Sequence, residues 1–305
     1  MQYKAFGNLE VGTASAGIDA TRYAEIKFGK ATCLFALEVE EKYALLLDNF
    51  FEFESELLKQ AEASAIWSSR DHETSMLGKL AINRRLVNIL TACRLYLDQT
   101  EHGISRLYGN LSQELIDLKK FKNDLYDANW GYRLMEALRN HVQHSGLPVH
   151  AIGLSWSRME GRLSGYGQHT IVPQTEPETL AEDDTFKKTV LIELQQEGKT
   201  VDLRGPVREY ISCIVTLHEK IRSILTIKVA NYRTVYESAV AEYSTINGQA
   251  VKSSRLIEIN DDNTYKEQIA LVTDFLDYYD SLKKRNTVNP KLANSCASNS
   301  IQEKA

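Results

Sequence analysis

The chain has no apolar run approaching the ~18–20 residues that a bilayer span needs, and its opening stretch, MQYKAFGNLEVGTASAG, lacks the long apolar core of a signal peptide. Its four cysteines, Cys33, Cys93, Cys213 and Cys296, stand far apart and form no CxxC pair. That spacing argues against a disulfide framework, and the simplest setting is a reducing cytoplasm with the thiols as small apolar groups. The catalytic motifs with fixed spacing are also missing. EGRLSGYGQ is rich in glycine but has no GK[ST] and no helix start behind it. No serine sits in G-x-S-x-G, and there is no H-E-x-x-H. Nucleotide hydrolysis, serine-hydrolase chemistry and zinc hydrolysis are left without support. No repeat recurs at a fixed period, and no Pro- or Gly-rich linker divides the chain.

What is present is an ordinary globular composition. The 305 residues are 43% apolar and 25% charged, enough for a sizeable core. The net charge of −5 is unevenly spread. Glu38 to Glu62 holds eight acidic residues and two lysines, whereas Arg204 to Arg233 holds six basic residues against Glu209 and Glu219. An acidic protein is not an obvious nucleic-acid binder, but a local basic face is compatible with it because screening limits the reach of charge to ~10 Å. Arg204, Arg208, Arg222 and Lys228 are the candidate substrate-binding cations, with a solvated helix face as the plainer reading. Tyr132, Trp156, Tyr166 and Tyr210 are candidates for stacking on bases, against an ordinary place in the core.

Periodicity predicts a mainly α fold, an antiparallel helical bundle with a small inserted antiparallel β-sheet. Residues 1–36 form a weakly patterned N-terminal segment, with short strands expected at YKAFGNLEV and RYAEIKFG. Residues 37–147 read as four helices with short connections. Asn110 is the expected cap of the third, with Gln113 as its capping-box partner. Residues 148–203 read as a β insertion: VHAIGLSWSR and QHTIVP pair as strands, and KTVLIELQQEGKTVDL forms a further hairpin. Residues 204–288 hold a helix from about Gly205 to Ser244, a strand at VKSSRLIEIN and a last helix at TYKEQIALVTDFLDYYDSLKK, packed on the same body. Residues 289–305 read as a disordered tail.

Two of the chain's seven histidines fall in LRNHVQHSG, at the end of the fourth helix. On a helical wheel Leu134, Leu138 and Val142 form the buried stripe, while Glu136, Arg139, Asn140, Gln143 and His144 fall on the polar side. Asn140 and His144 lie one turn apart. His141 lies nearer the apolar side and reads as structural. An arginine that can hold a phosphate in two-point fashion, an asparagine that orients, and a histidine that titrates near neutrality suit metal-free RNA cleavage. In that reaction the 2′-OH attacks the adjacent phosphorus, so DNA is spared. Duller readings stand beside it. Arg139 and His144 complement the helix dipole equally well. His141, His144 and His150 come close in sequence, although no strong metal-ligand pattern results. His150, His169 and His218 have no partner identifiable from sequence.

Arg139-Asn140-His141-Val142-Gln143-His144 reads as R-N-x-x-x-H, which resembles the signature of the HEPN superfamily of helical domains, many of them RNA-cleaving toxins or antiviral effectors. The resemblance covers about Leu37 to Gly146. It implies Arg139 and His144 as a catalytic pair with Asn140 assisting, no cofactor and no metal, and RNA as substrate. It also implies a homodimer with a composite site, and an antitoxin or other regulatory partner. The alternative is a non-catalytic binding or sensor module that uses its acidic first helix and small sheet for protein contacts.

Overall fold

The computed structural model describes residues 1–7, 15–67, 71–158, 167–246, 249–250, 254–289 and 292–295. The fold is mainly α, with small antiparallel sheets. Among the described residues the order is β1 (Gln2–Gly7), β2 (Ser15–Ile18), α1 (Ala20–Ile66), α2 (His72–Tyr108), α3 (Gln113–Ala128), α4 (Trp130–His144), β3 (Ala151–Arg158), β4 (Gly167–Thr175), α5 (Pro177–Ala181), α6 (Lys188–Glu197), β5 (Val201–Asp202), α7 (Arg204–Glu242), β6 (Thr245–Ile246), β7 (Gln249–Ala250), β8 (Ser254–Ile259), β9 (Tyr265–Leu271) and α8 (Asp274–Arg285). No helix among the described residues is long and apolar enough to cross a membrane. The chain divides into two compact units, one of residues 1–41 and 220–287, the other of residues 42–219 and 288–305. The long helices α1 and α7 contribute to both.

The first unit is built on an antiparallel sheet in the order β2-β1-β8-β9. Ala5, Leu256 and Ile269 lie in one row across it. Against that row pack Tyr23, Ile26 and Cys33 of α1, Tyr236 and Ala239 of α7, and Leu276 of α8, all buried. Each fully buried large side chain is worth ~1.5–3 kcal/mol. Two sequence expectations change here. RYAEIKFG is helix, because Tyr23, Ile26 and Cys33 recur at helical spacing toward one core. TYKEQIAL is not the start of the last helix but strand β9, since Ile269 and Leu271 are buried on alternate residues. The turn before it is closed by Asn263 N–H donating to Asn260 C=O at 3.0 Å. Asn263 there adopts φ 60°, a left-handed conformation that asparagine tolerates better than most residues.

The second unit holds the bundle. Helices α2, α3 and α4 pack on one another, and their buried stripes include Ile82, Leu86, Leu115, Leu118, Leu134 and Leu138. The third helix is capped by Ser112, whose Oγ accepts Leu115 N–H at 3.3 Å, and not by Asn110. Helix α4 is docked at its start, where Gly131 N–H donates to Glu209 Oε2 at 2.6 Å. A β-carbon at Gly131 would lie 2.7 Å from the Pro206 carbonyl oxygen, so only glycine permits this approach.

Strands β3 and β4 pair from Ala151↔Gln174 to Arg158↔Gly167 as expected, and β5 adds two residues at the base. The expected second hairpin is instead helix α6, whose Val190 and Leu194 are buried at i, i+4 spacing. Of the expected tail, Leu292–Asn294 form a single 3₁₀ turn, and residues 290–291 and 296–305 lie outside the described residues.

Candidate functional site

Helix α4 delivers the R-N-x-x-x-H set with its amphipathic face resolved as the wheel requires. Leu134, Met135, Leu138 and His141 are buried, while Asn140, Gln143 and His144 are exposed. The side chains of Asn140 and His144 have no hydrogen-bond partner among the described residues. Arg139 is different. Its side chain is only 15% exposed and lies along its own helix. Nη1 donates to Gln143 Oε1 at 2.9 Å, and Nε stands 3.8 Å from Glu136 Oε2. Glu136 is held in turn by the buried Tyr210, whose hydroxyl donates to Oε1 at 2.7 Å. Among the described residues, no bond joins Arg139 to Asn140 or His144. The three residues share one helix end but do not meet within one chain.

His141 is 5% exposed, as its lean toward the apolar side suggested. It is not merely filling space. Its Nδ1 lies 2.7 Å from Asp183 Oδ2. Asp183 also accepts Thr185 N–H at 2.9 Å and Thr185 Oγ1–H at 2.6 Å. The Thr185 hydroxyl first, then the bond from His141, hold its carboxyl far below the usual carboxylate range, with smaller contributions from the Ser145 side chain and the Thr185 N–H. A carboxylate in that state can only accept, so in the neutral imidazole of His141 the proton is on Nδ1 and the lone pair on Nε2.

The loop after α4 is fixed from both sides. Asn83, buried on α2, pairs with the Val149 backbone: its Nδ2 donates to Val149 C=O and its Oδ1 accepts Val149 N–H, both at 2.9 Å. His150 Nδ1 accepts Glu176 N–H at 2.9 Å. Burial pushes the His150 imidazole below its ordinary value, helped by His141 and Lys79 and opposed chiefly by Glu176. Between these anchors lies an open cleft of about 730 Å³, walled by Lys79, His141, Ser145, Gly146, His150, Thr179, Glu182, Asp183, Asp184 and Thr185 among others.

The other candidates sort differently. Arg204 pairs with Asp202 at 2.7 Å, Arg208 with Glu54 at 2.7 Å and Arg222 with Glu40 at 2.8 Å. Lys228 sits 6.0 Å over the Phe28 ring. The three arginines among the cations counted in sequence are thus each paired with a carboxylate. Arg204 and Arg208 also belong to one unit, and Arg222 and Lys228 to the other. Tyr132 and Tyr210 are core residues in edge-to-face contact at 5.1 Å. Trp156 is 58% exposed, and Tyr166 lies outside the described residues.

The remaining histidines gain partners. His169 Nδ1 lies 3.1 Å from Ser64 Oγ, and His218 Nδ1 lies 2.8 Å from Tyr96 Oη, with its ring stacked on Tyr43. No group of three or more His, Cys, Asp or Glu side chains among the described residues is arranged to hold a metal ion.

Sequence reasoning missed Asp183, Thr185 and Lys79, and placed Glu136 on the polar face without a role. The run E-D-D-T before Phe186 carries the local signal of an Asx turn, but nothing in it points to His141, 42 residues away. In comparisons with known proteins, no family model, no curated protein and no solved structure matches the chain.

Proposed function

We propose that the protein is a metal-independent endoribonuclease of HEPN type, acting in the cytoplasm as a homodimer whose active centre is shared between copies. The reading rests on the exposed end of α4, where Asn140 and His144 stand one turn apart, their side chains unengaged among the described residues, and Arg139 lies in the same polar strip. His144 moves a proton, Arg139 neutralises charge on the scissile phosphate and Asn140 orients the reacting groups. The 2′-OH attacks phosphorus and the 5′-oxygen leaves, giving a 2′,3′-cyclic phosphate and a 5′-hydroxyl. Arg139 must turn away from Gln143 to reach a phosphate. The biological setting is that of a toxin or an antiphage or stress effector, restrained by an antitoxin or other regulatory protein.

The test is cleavage of end-labelled RNA in EDTA by the wild type, Arg139→Ala, His144→Ala and an equal mixture of the two variants. Cleavage by the wild type and by the mixture, but by neither variant alone, supports a composite site. A wild type that leaves every RNA intact removes the reading.

One observation favours a second reading, a non-catalytic binding module. Arg139 is already engaged by Gln143 on its own helix and largely covered, as a structural arginine would be. Leu77, Leu80, Trp67 and Trp156 are each more than half exposed, and apolar side chains of that size on a surface suit protein contacts.

A further inference from the structure

His141 has the bonding of an oriented base rather than of a core histidine. A core imidazole normally has both ring nitrogens satisfied. Here one nitrogen is bound to Asp183 at 2.7 Å, while Nε2 has no partner among the described residues and the ring forms part of the cleft wall. The next residues leave that nitrogen uncovered. A β-carbon at Gly146 would sit 3.2 Å from His141 Nε2, so a side chain at position 146 would crowd it. Asp183 fixes the tautomer that puts the lone pair on Nε2, and its charge stabilises the imidazolium that forms when Nε2 takes a proton. A helix that buries a histidine, gives it a carboxylate and then places a glycine over its free nitrogen has built a proton acceptor facing a cleft.

We propose that His141 Nε2 is the general base of this site and that the proton it takes comes from a ribose 2′-hydroxyl; the identity of that hydroxyl rests on the ribonuclease reading. Proton transfer to Nε2 accompanies formation of the bond from O2′ to phosphorus. The bond from phosphorus to O5′ breaks, and the departing O5′ takes a proton from His144, three residues along the same helix. Asp183 is a positioning residue that acts through His141. The charges facing the cleft also shape what enters it. Lys79 offers one positive charge, while Glu182 and Asp184 on the rim oppose a run of phosphates. The load that fits is one unpaired nucleotide step, with Lys79 as the positive charge for one of its phosphates.

The test uses the full chain and one labelled RNA in EDTA, with kcat and KM followed from pH 5 to 9. His141→Asn keeps a donor toward Asp183 but has no base, and kcat falls by about 10²-fold or more with KM little changed. Gly146→Ala lowers kcat while its melting temperature stays near that of the wild type, which guards against a folding defect in the histidine variant. Asp183→Asn lowers kcat and moves the acidic limb of the pH profile to lower pH, a change that a purely structural role would not produce. If His141→Asn cleaves as fast as the wild type while His144→Ala does not, the inference is overturned and the ribonuclease reading stands. If the wild type cleaves nothing, the ribonuclease reading falls. The base is then judged by ¹⁵N histidine spectra with cytidylyl adenosine and its 2′-deoxy analogue. Movement of the His141 Nε2 signal with the ribose form alone sustains the base; no movement overturns it.

Discussion

Two buried carboxylates, one in each unit, show how similar ingredients serve different ends. Glu40 in the first unit accepts Arg222 Nε and Nη2, each at 2.8 Å, and Asn286 Nδ2 at 2.9 Å. Arg222 Nη2 also donates to Lys283 C=O at 3.0 Å. That network turns inward and joins α1, α7 and α8. Asp183 in the second unit is also saturated, but its partner His141 keeps one nitrogen open to a cleft. A closed network holds a fold together; the same chemistry left open by one atom can act on a ligand.

The comparison is best broken at its closed end. Glu40→Ala removes the carboxylate that pairs with Arg222, and costs about 3–5 kcal/mol, read as a lower urea midpoint with unchanged slope. A cost below about 1 kcal/mol would show that the network contributes little.

At the open end, Asp183→Asn removes an ionised acceptor from His141 and Thr185, at a cost on the order of 1–3 kcal/mol at neutral pH. The sign of its pH dependence follows from the lowered carboxyl. The stabilisation is complete above the unfolded value of ~3.9 and disappears as pH falls through and below it. The asparagine variant should therefore flatten the acid side of the stability profile.

His150 acts in the same direction, at higher pH. Its imidazole is pushed down by burial, so the unfolded chain binds the proton more readily than the folded one. Stability is complete above the unfolded value of ~6.5 and declines as pH falls below it. His150→Gln should reduce the difference between urea midpoints at pH 7.5 and pH 5.5.

The smallest effect is expected from Ser145→Ala. It removes the weakest of the three side-chain partners of Asp183 at an exposed position, for roughly 0.5–1 kcal/mol. A larger loss would show that the end of α4, and not only His141, depends on that carboxylate.

The elements that were legible are those whose pattern was long or unambiguous. The α4 stripe and the lean of His141 toward the core followed from a clean wheel, and the β3–β4 hairpin followed from its alternation. Short apolar runs misled. V-L-I-E-L in α6 is rich in strand-forming residues, but Val190 and Leu194 are the buried pair, and Glu193 between them is drawn to Arg133 at 2.8 Å. In β9 the apolar residues were absorbed into the helical pattern that follows them, although the N-D-D-N-T turn ahead was a signal for a hairpin.

The sequence by itself determined which face of each long helix is apolar, where α4 ends and which of its two histidines turns inward. Those properties depend on periodicity and on local stops such as Gly146 and Pro148, and both act within a few residues. Tertiary structure alone decided the partners. It set Asp183 against His141, matched Arg208 with Glu54 and Arg222 with Glu40, and paired β1 with β8 from opposite ends of the chain. The physical reason is the range of the forces involved. Burial of a side chain is written in its own helix, but a charge or a hydrogen-bonding group takes whatever partner the packed core brings within about 3 Å.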